Sequence, residues 1–194
     1  MTSNAITVRL LVLLVLVATM PLLAQDPRLA QRFSEPVAAR LAASIDSAGH
    51  EGLPTEPLVL RALEGQAKGA SEDQIVAALS RLRGALRTAR ETLGPAAPSA
   101  ELTTAAAALQ AGVPEPRLAE LHQLRGGMPV TAPLGAYLDL IARGAKADRA
   151  WSRISDLARR RASDVEFVRL TPADVDRDAK PIRSSHPPGS QGPP

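Results

Sequence analysis

The 194-residue sequence contains no cysteine. Disulfides, thiolate metal sites and lipid attachment through an N-terminal cysteine are therefore excluded, and the fold must be held by packing alone. Aromatic residues are almost as scarce: Phe33, Tyr137, Trp151 and Phe167 are the whole set. Proteins committed to nucleic acid combine a clustered basic face with stacking aromatics, so this composition argues against a nucleic-acid partner. Charge of one sign is lacking too, with 23 Lys and Arg against 20 Asp and Glu. No window alternates strictly between apolar and polar residues, so a half-buried strand has no signature here. Beyond the N-terminus no stretch is long and apolar enough to cross a bilayer, for which about 20 apolar residues are needed.

The N-terminal segment reads as an export signal. Met1 to Arg9 carries one cationic side chain and no acid, Leu10 to Val17 is an unbroken apolar run, and Pro21 and Ala24 close the segment. Charged start, short apolar core and small-residue exit are the parts of a secretory signal peptide, with cleavage expected after Ala24. The rival reading, a retained membrane anchor, reaches spanning length only by including Arg9 and Pro21. The Ala-, Leu-, Arg- and Pro-rich vocabulary is that of a GC-rich bacterial source, which would place the exported chain in the periplasm or outside the cell. Once cleaved, it is not expected to be an integral membrane protein. The remaining chain of about 170 residues suffices for one domain with a core.

Within that region the chain nearly copies itself. Residues Gly52–Leu82 and Gly127–Leu157 align without a gap at a shift of 75 positions, with nine identities that include Gly52/Gly127, Pro54/Pro129, Leu63/Leu138, Gly69/Gly144, Asp73/Asp148 and Leu82/Leu157. The shared pattern is a Gly-x-Pro entry, an apolar helix, a glycine break and a second apolar helix. Such a unit is a helical hairpin, and its reuse marks a stacked array.

Helical spacing runs through the rest. A lead helix is expected from about Glu35 to Ala48, with Val37, Leu41 and Ile45 on one face. The first hairpin covers 54–93. Gly69 stops its first helix, Ser71 and Gln74 form a capping box for the second, and Ile75, Leu79, Leu82, Leu86, Ala89 and Leu93 make a continuous seam. Gly84 interrupts that helix, where the missing side chain would let another helix approach. A more degenerate hairpin covers 99–126, capped by Ser99 and turned at Gly112. The third covers 129–162, capped by Thr131, turned at Gly144 and closed by Arg159-Arg160-Arg161. A short helix at Asp164–Leu170 would cap the array, and 171–194, poor in apolar residues, reads as a disordered tail. The expected fold is all-α: stacked hairpins in an α-solenoid-like array or small bundle of about 7–8 helices over 25–170.

Catalytic signatures are missing. His50, His122 and His186 lie in separate segments without a second ligand at helical spacing, so no metal site is expected. There is no nucleophile elbow, no Ser-x-x-Lys and no phosphate-cradling glycine loop. No cofactor is expected either. The best acids are Glu64 and Asp139, matched across the repeat, with Asp73 and Asp148 matched at helix starts. A recurring acid in a shared groove could act in proton transfer, but Asp73 and Asp148 are already explained by the helix dipole. Two arginine rows remain: Arg83, Arg87 and Arg90 on one helix, and Arg149, Arg153 and Arg160 on its counterpart. These six are the candidate site for anionic envelope polymers, lipid head groups or an acidic protein surface, against the plainer reading of solvated helix faces. The reading that follows is a non-catalytic interaction or scaffolding module of the bacterial envelope, its partner another envelope protein. Binding of anionic polymers is the alternative, and catalysis through a groove carboxylate a further one.

Overall fold

A computed structural model of the chain describes residues 26–177. Among them are ten helices and no strand: α1 (Pro27–Ala30), α2 (Glu35–His50), α3 (Glu56–Ala67), α4 (Glu72–Leu93), α5 (Ser99–Gln110), α6 (Glu115–Arg125), α7 (Thr131–Ala142), α8 (Ala147–Arg159), α9 (Asp164–Val168) and α10 (Pro172–Arg177). The all-α array of hairpins is thus the observed architecture, with α2 as lead helix and α3–α4, α5–α6 and α7–α8 as the hairpins. The export segment with its cleavage point at Ala24, and the tail from 178 onward, lie outside the described residues.

The helix joints share one construction. After α2, α3, α5 and α7 the chain turns through Gly52, Gly69, Gly112 and Gly144, all with φ between 70° and 94°. In each case the glycine N–H donates to the carbonyl three residues back, and the next N–H reaches the carbonyl five back, as in Gly69→Gln66 and Ala70→Gly65, both 3.0 Å. This double bond pattern satisfies carbonyls that a helix end leaves orphaned, and it needs a left-handed residue that glycine supplies at low cost. The joint after α8 has the same bonds but places Arg161 in that conformation, at φ 54°.

The order of packing makes two layers. Even-numbered helices succeed one another, α2 on α4, α4 on α6, α6 on α8 and α8 on α10, while α1 packs on α3, α5 on α7 and α7 on α9. The ladder of odd helices lacks one rung, because α3 and α5 do not pack closely; the long α4 lies against both and bridges the step. All six seam residues of α4 are buried. They join one apolar cluster running from Leu29 to Val175. Each fully buried leucine in it contributes about 1.5–3 kcal/mol of transfer free energy.

Several local expectations need correction. Ten helices replace seven or eight, the short α1 and α10 being the additions. The tail does not begin at Thr171: the Thr171 N–H and hydroxyl both donate to the Asp174 carboxylate, at 3.0 and 2.7 Å, starting α10, whose Val175 is buried. Ser99 and Thr131 are the first helical residues rather than caps; Pro98 and Val130 occupy the cap positions. Gly84 faces open space. The close approach is at Gly65, where a Cβ would sit 2.8 Å from Ile75 Cγ1. The capping box of α4 is formed, with Ser71 N–H donating to the Gln74 side chain at 2.9 Å and Gln74 N–H to Ser71 Oγ at 3.3 Å. Among the described residues no helix is long and apolar enough to cross a membrane.

Candidate functional site

The first arginine row is brought together on α4 and directed at the end of α2. Arg83 Nη2 donates to Ser47 Oγ at 2.8 Å and also pairs with the Glu51 carboxylate. Arg87 Nη2 donates to the other oxygen of Glu51 at 2.9 Å, and Arg90 Nη1 to the Gly52 carbonyl at 2.8 Å. Hydrogen bonds from Arg83 first and Arg87 second hold the Glu51 carboxyl below the usual range. Gly52 is favoured by its φ of 71°, and a Cβ there would lie 3.2 Å from Arg90 Nη2, so that the guanidinium would have to give by a few tenths of an ångström. The row therefore fastens α4 to the α2–α3 joint.

The second row serves another junction. Arg149 on α8 pairs with Asp176 of α10 at 3.2 Å, and Arg153, partly buried, follows on the same helix. Arg160 is exposed just past α8. The Glu166 carboxyl is held low chiefly by hydrogen bonds from Ser163, with Arg160 adding its charge. Arg83 and Arg87 thus meet Glu51 at the α2–α3 joint, whereas Arg149 meets Asp176 of α10.

The matched acids are surface groups. Glu64 accepts from Lys68 Nζ at 2.6 Å, a bond that, with the nearby Arg61, keeps its carboxyl ionised and below the ordinary range. Asp139 pairs with Arg143 at 2.9 Å. A general acid needs the opposite shift, toward neutrality. Asp73 and Asp148 sit in the first turns of α4 and α8. Asp148 also pairs with Arg117 at 3.1 Å, whose guanidinium lies 5.8 Å from the Trp151 ring centre. Trp151 meets Tyr137 edge to face at 5.6 Å, and burial pushes the Tyr137 phenol up. His50 ends α2, exposed, and His122 lies half-buried in α6, while His186 is outside the described residues. Among the described residues no three His, Asp or Glu converge as metal ligands.

The chain does bury two charged groups that the sequence reading missed, and they meet on one peptide. Arg125, at 2% exposure, ends α6. Its Nε donates to the Pro129 carbonyl at 3.1 Å, Nη1 to the Ala162 carbonyl at 3.0 Å and Nη2 to Asp164 at 2.5 Å, and the guanidinium lies 5.3 Å from the Phe167 ring centre. On the other side of the same peptide, Val130 N–H donates to buried Glu101 at 2.6 Å. Together these bonds tie α5, α6, the turn into α7 and the α8–α9 joint.

Three surface grooves stand out. One of about 350 Å³ lies between α1 and α3, lined by Arg28, Arg32, Leu63 and Gln66 among others. One of about 460 Å³ runs beside the α2–α3 joint, lined by Arg87 and Arg90 together with Glu51 and Glu91 among others. The third, about 250 Å³, lies between α3, α4 and α5 and is lined by Arg61, Ala78, Arg81 and Gln110. Large apolar side chains also remain outside the core: Leu60, Met128, and the pair Val165 and Val168 on α9. No known protein family, curated protein or solved structure matches the chain.

Proposed function

We propose that this protein is an exported, non-catalytic helical module that docks another protein of the bacterial envelope through the outer edge of α9. The observation that carries the reading is the exposure of Val165 and Val168, at 55% and 73%. They stand three residues apart on a five-residue helix whose Phe167 is fully buried. β-Branched residues are poor helix formers, and an outward valine contributes nothing to the core. A polar residue would serve an isolated chain better at both places, so the pair is best explained by a contact that covers it. Export is supported by the charged, apolar and small-residue order of the first 24 positions. The non-catalytic part is supported by Glu64 and Asp139, which are exposed and ion-paired rather than gathered in a groove.

A photo-crosslinking residue at position 168, introduced in the native host, tests this. The expected result is a discrete envelope-protein adduct, absent when the same residue replaces exposed Ala77 on α4 and lost in a Val165→Asp chain. An adduct with a second copy alone, no adduct, or the same adducts from both positions would overturn it.

A further inference from the structure

We infer that the groove between α3 and α5 is a binding site for an oxyanion, a carboxylate or phosphoryl group, held by Arg61 and Arg81. The groove lies where the ladder of odd helices loses a rung, so the opening is built into the packing order. It is lined by Arg61 of α3, Ala78 and Arg81 of α4, and Gln110 at the end of α5, so its two arginines come from different helices.

The charge in this groove is only partly answered, unlike that of Arg83, Arg87 and Arg149 in the predicted rows. Arg83 and Arg87 share Glu51, Arg149 has Asp176, and the neighbouring groove holds two carboxylates of its own. Among the described residues Arg81 has no carboxylate within ion-pair distance, and Arg61 has only Glu64, at 3.5 Å, which is already bonded to Lys68 at 2.6 Å. Nor are the arginines needed to cap α5. Its terminal carbonyls are taken by the N–H groups of the glycine joint: Ala111 on Ala107, Gly112 on Leu109 and Val113 on Ala108, at 2.9 to 3.1 Å. Two cations that line one groove, Arg61 with a single long carboxylate contact and Arg81 with none among the described residues, favour an added anion. Guanidinium forks and a carboxamide suit the planar or tetrahedral oxygens of a carboxylate or phosphoryl group. The volume of about 250 Å³ admits such a group with a short stem.

The site stands apart from the α9 edge, so either can fail alone. The test follows the arginine Nε–Hε NMR signals of the full exported chain at low salt during titration with inorganic phosphate and, separately, with a hexaglutamate peptide. Saturable shifts confined to Arg61 and Arg81 are expected with at least one anion, and the tighter one identifies a phosphoryl or a carboxylate source. Arg81→Gln and Arg61→Gln should each weaken binding about tenfold, the loss of one charge-assisted hydrogen bond, while Arg87→Gln retains it. Val165→Asp should leave it intact. No saturable shift with either anion, or an equal loss in Arg87→Gln, overturns the assignment.

Discussion

Removing Arg125 tests whether the buried polar junction, rather than the apolar seams alone, holds the last third of the array. Arg125→Ala deletes three donors at once. The carbonyls of Pro129 and Ala162 would lose their buried partner, and each orphaned buried acceptor costs about 1–3 kcal/mol. Asp164, more than half exposed, returns to water at little cost. The sum agrees with the roughly 3–5 kcal/mol typical of breaking a buried pair from one side. That is a large part of a total stability of about 5–15 kcal/mol. For a domain of this size it lowers the thermal midpoint by roughly 6–20 °C. Equilibrium urea unfolding by circular dichroism measures it, with Arg125→Met as the partner variant because methionine restores apolar volume without donors. Glu101→Gln, which keeps an acceptor for the Val130 N–H, should lose less than about 1 kcal/mol. A loss under about 1 kcal/mol in both Arg125 variants would refute the reasoning, since the carbonyls would then have found water.

Three further outcomes follow from local geometry. Replacing Arg161, which holds φ 54° with its side chain in solvent, by glycine should raise stability by about 0.5–1 kcal/mol, the left-handed penalty less the entropy of glycine; an unchanged urea midpoint would contradict this. Gly84→Ala and Gly65→Ala make the same change inside helices with opposite expected signs: a gain of about 0.5–1 kcal/mol at Gly84, which faces open space, and a net loss of about 1 kcal/mol at Gly65, where Ile75 Cγ1 stands 2.8 Å from the new methyl. Finally, Asp26, Glu51, Glu56, Glu64 and Glu166 all titrate lower when folded. The folded chain then binds fewer protons than the unfolded one, so stability is full at neutral pH and falls as pH drops past the ordinary carboxylate range near ~4.3. Urea midpoints between pH 7 and 3 should show that acid limb, flatter in Glu51→Gln; a stability that rises on acidification would sink the assignment.

The fold was legible wherever a single helix carries its own signals. The Ser71–Gln74 box, the six-residue seam of α4 and the glycine stops at 69, 112 and 144 are local, and all occur as written. The candidate site was less so. Spacing reveals that Arg83, Arg87 and Arg90 share a face, but not that Glu51 and the Gly52 carbonyl of another segment meet them there. Arg61 and Arg81 belong to different helices, and only the missing α3–α5 rung brings them to one groove. Arg125 and Glu101 did leave a trace. Arg125 falls four residues after Leu121 and seven after Leu118, and Glu101 falls four and seven before Ala105 and Ala108, all four of them buried. Both charges thus sit on the seam, and a charged residue at a seam position is ordinarily read as surface because unpaired burial is so costly. What reverses that reading is the Pro129–Val130 peptide, supplied by a loop.

The internal repeat takes a more specific meaning from the joints. Aligned at 75 residues it matches Gly69 with Gly144, yet the same paired hydrogen bonds close five joints, at 52, 69, 112, 144 and 161. The residue after each is apolar: Leu53, Ala70, Val113, Ala145 and Ala162, of which Leu53, Val113 and Ala162 are buried. A left-handed residue followed by an apolar one is therefore the unit the chain reuses, and helix length between joints is free to vary. That freedom explains why α4 can be long enough to span the gap between α3 and α5. It also explains why Arg161 is tolerated, since the bonds and the buried Ala162 define the turn and glycine only lowers its cost. A hairpin array specified by its joints can change helix lengths, and with them the clefts between helices, without losing the fold; among the described residues the groove holding Arg61 and Arg81 lies where the long α4 bridges such a step.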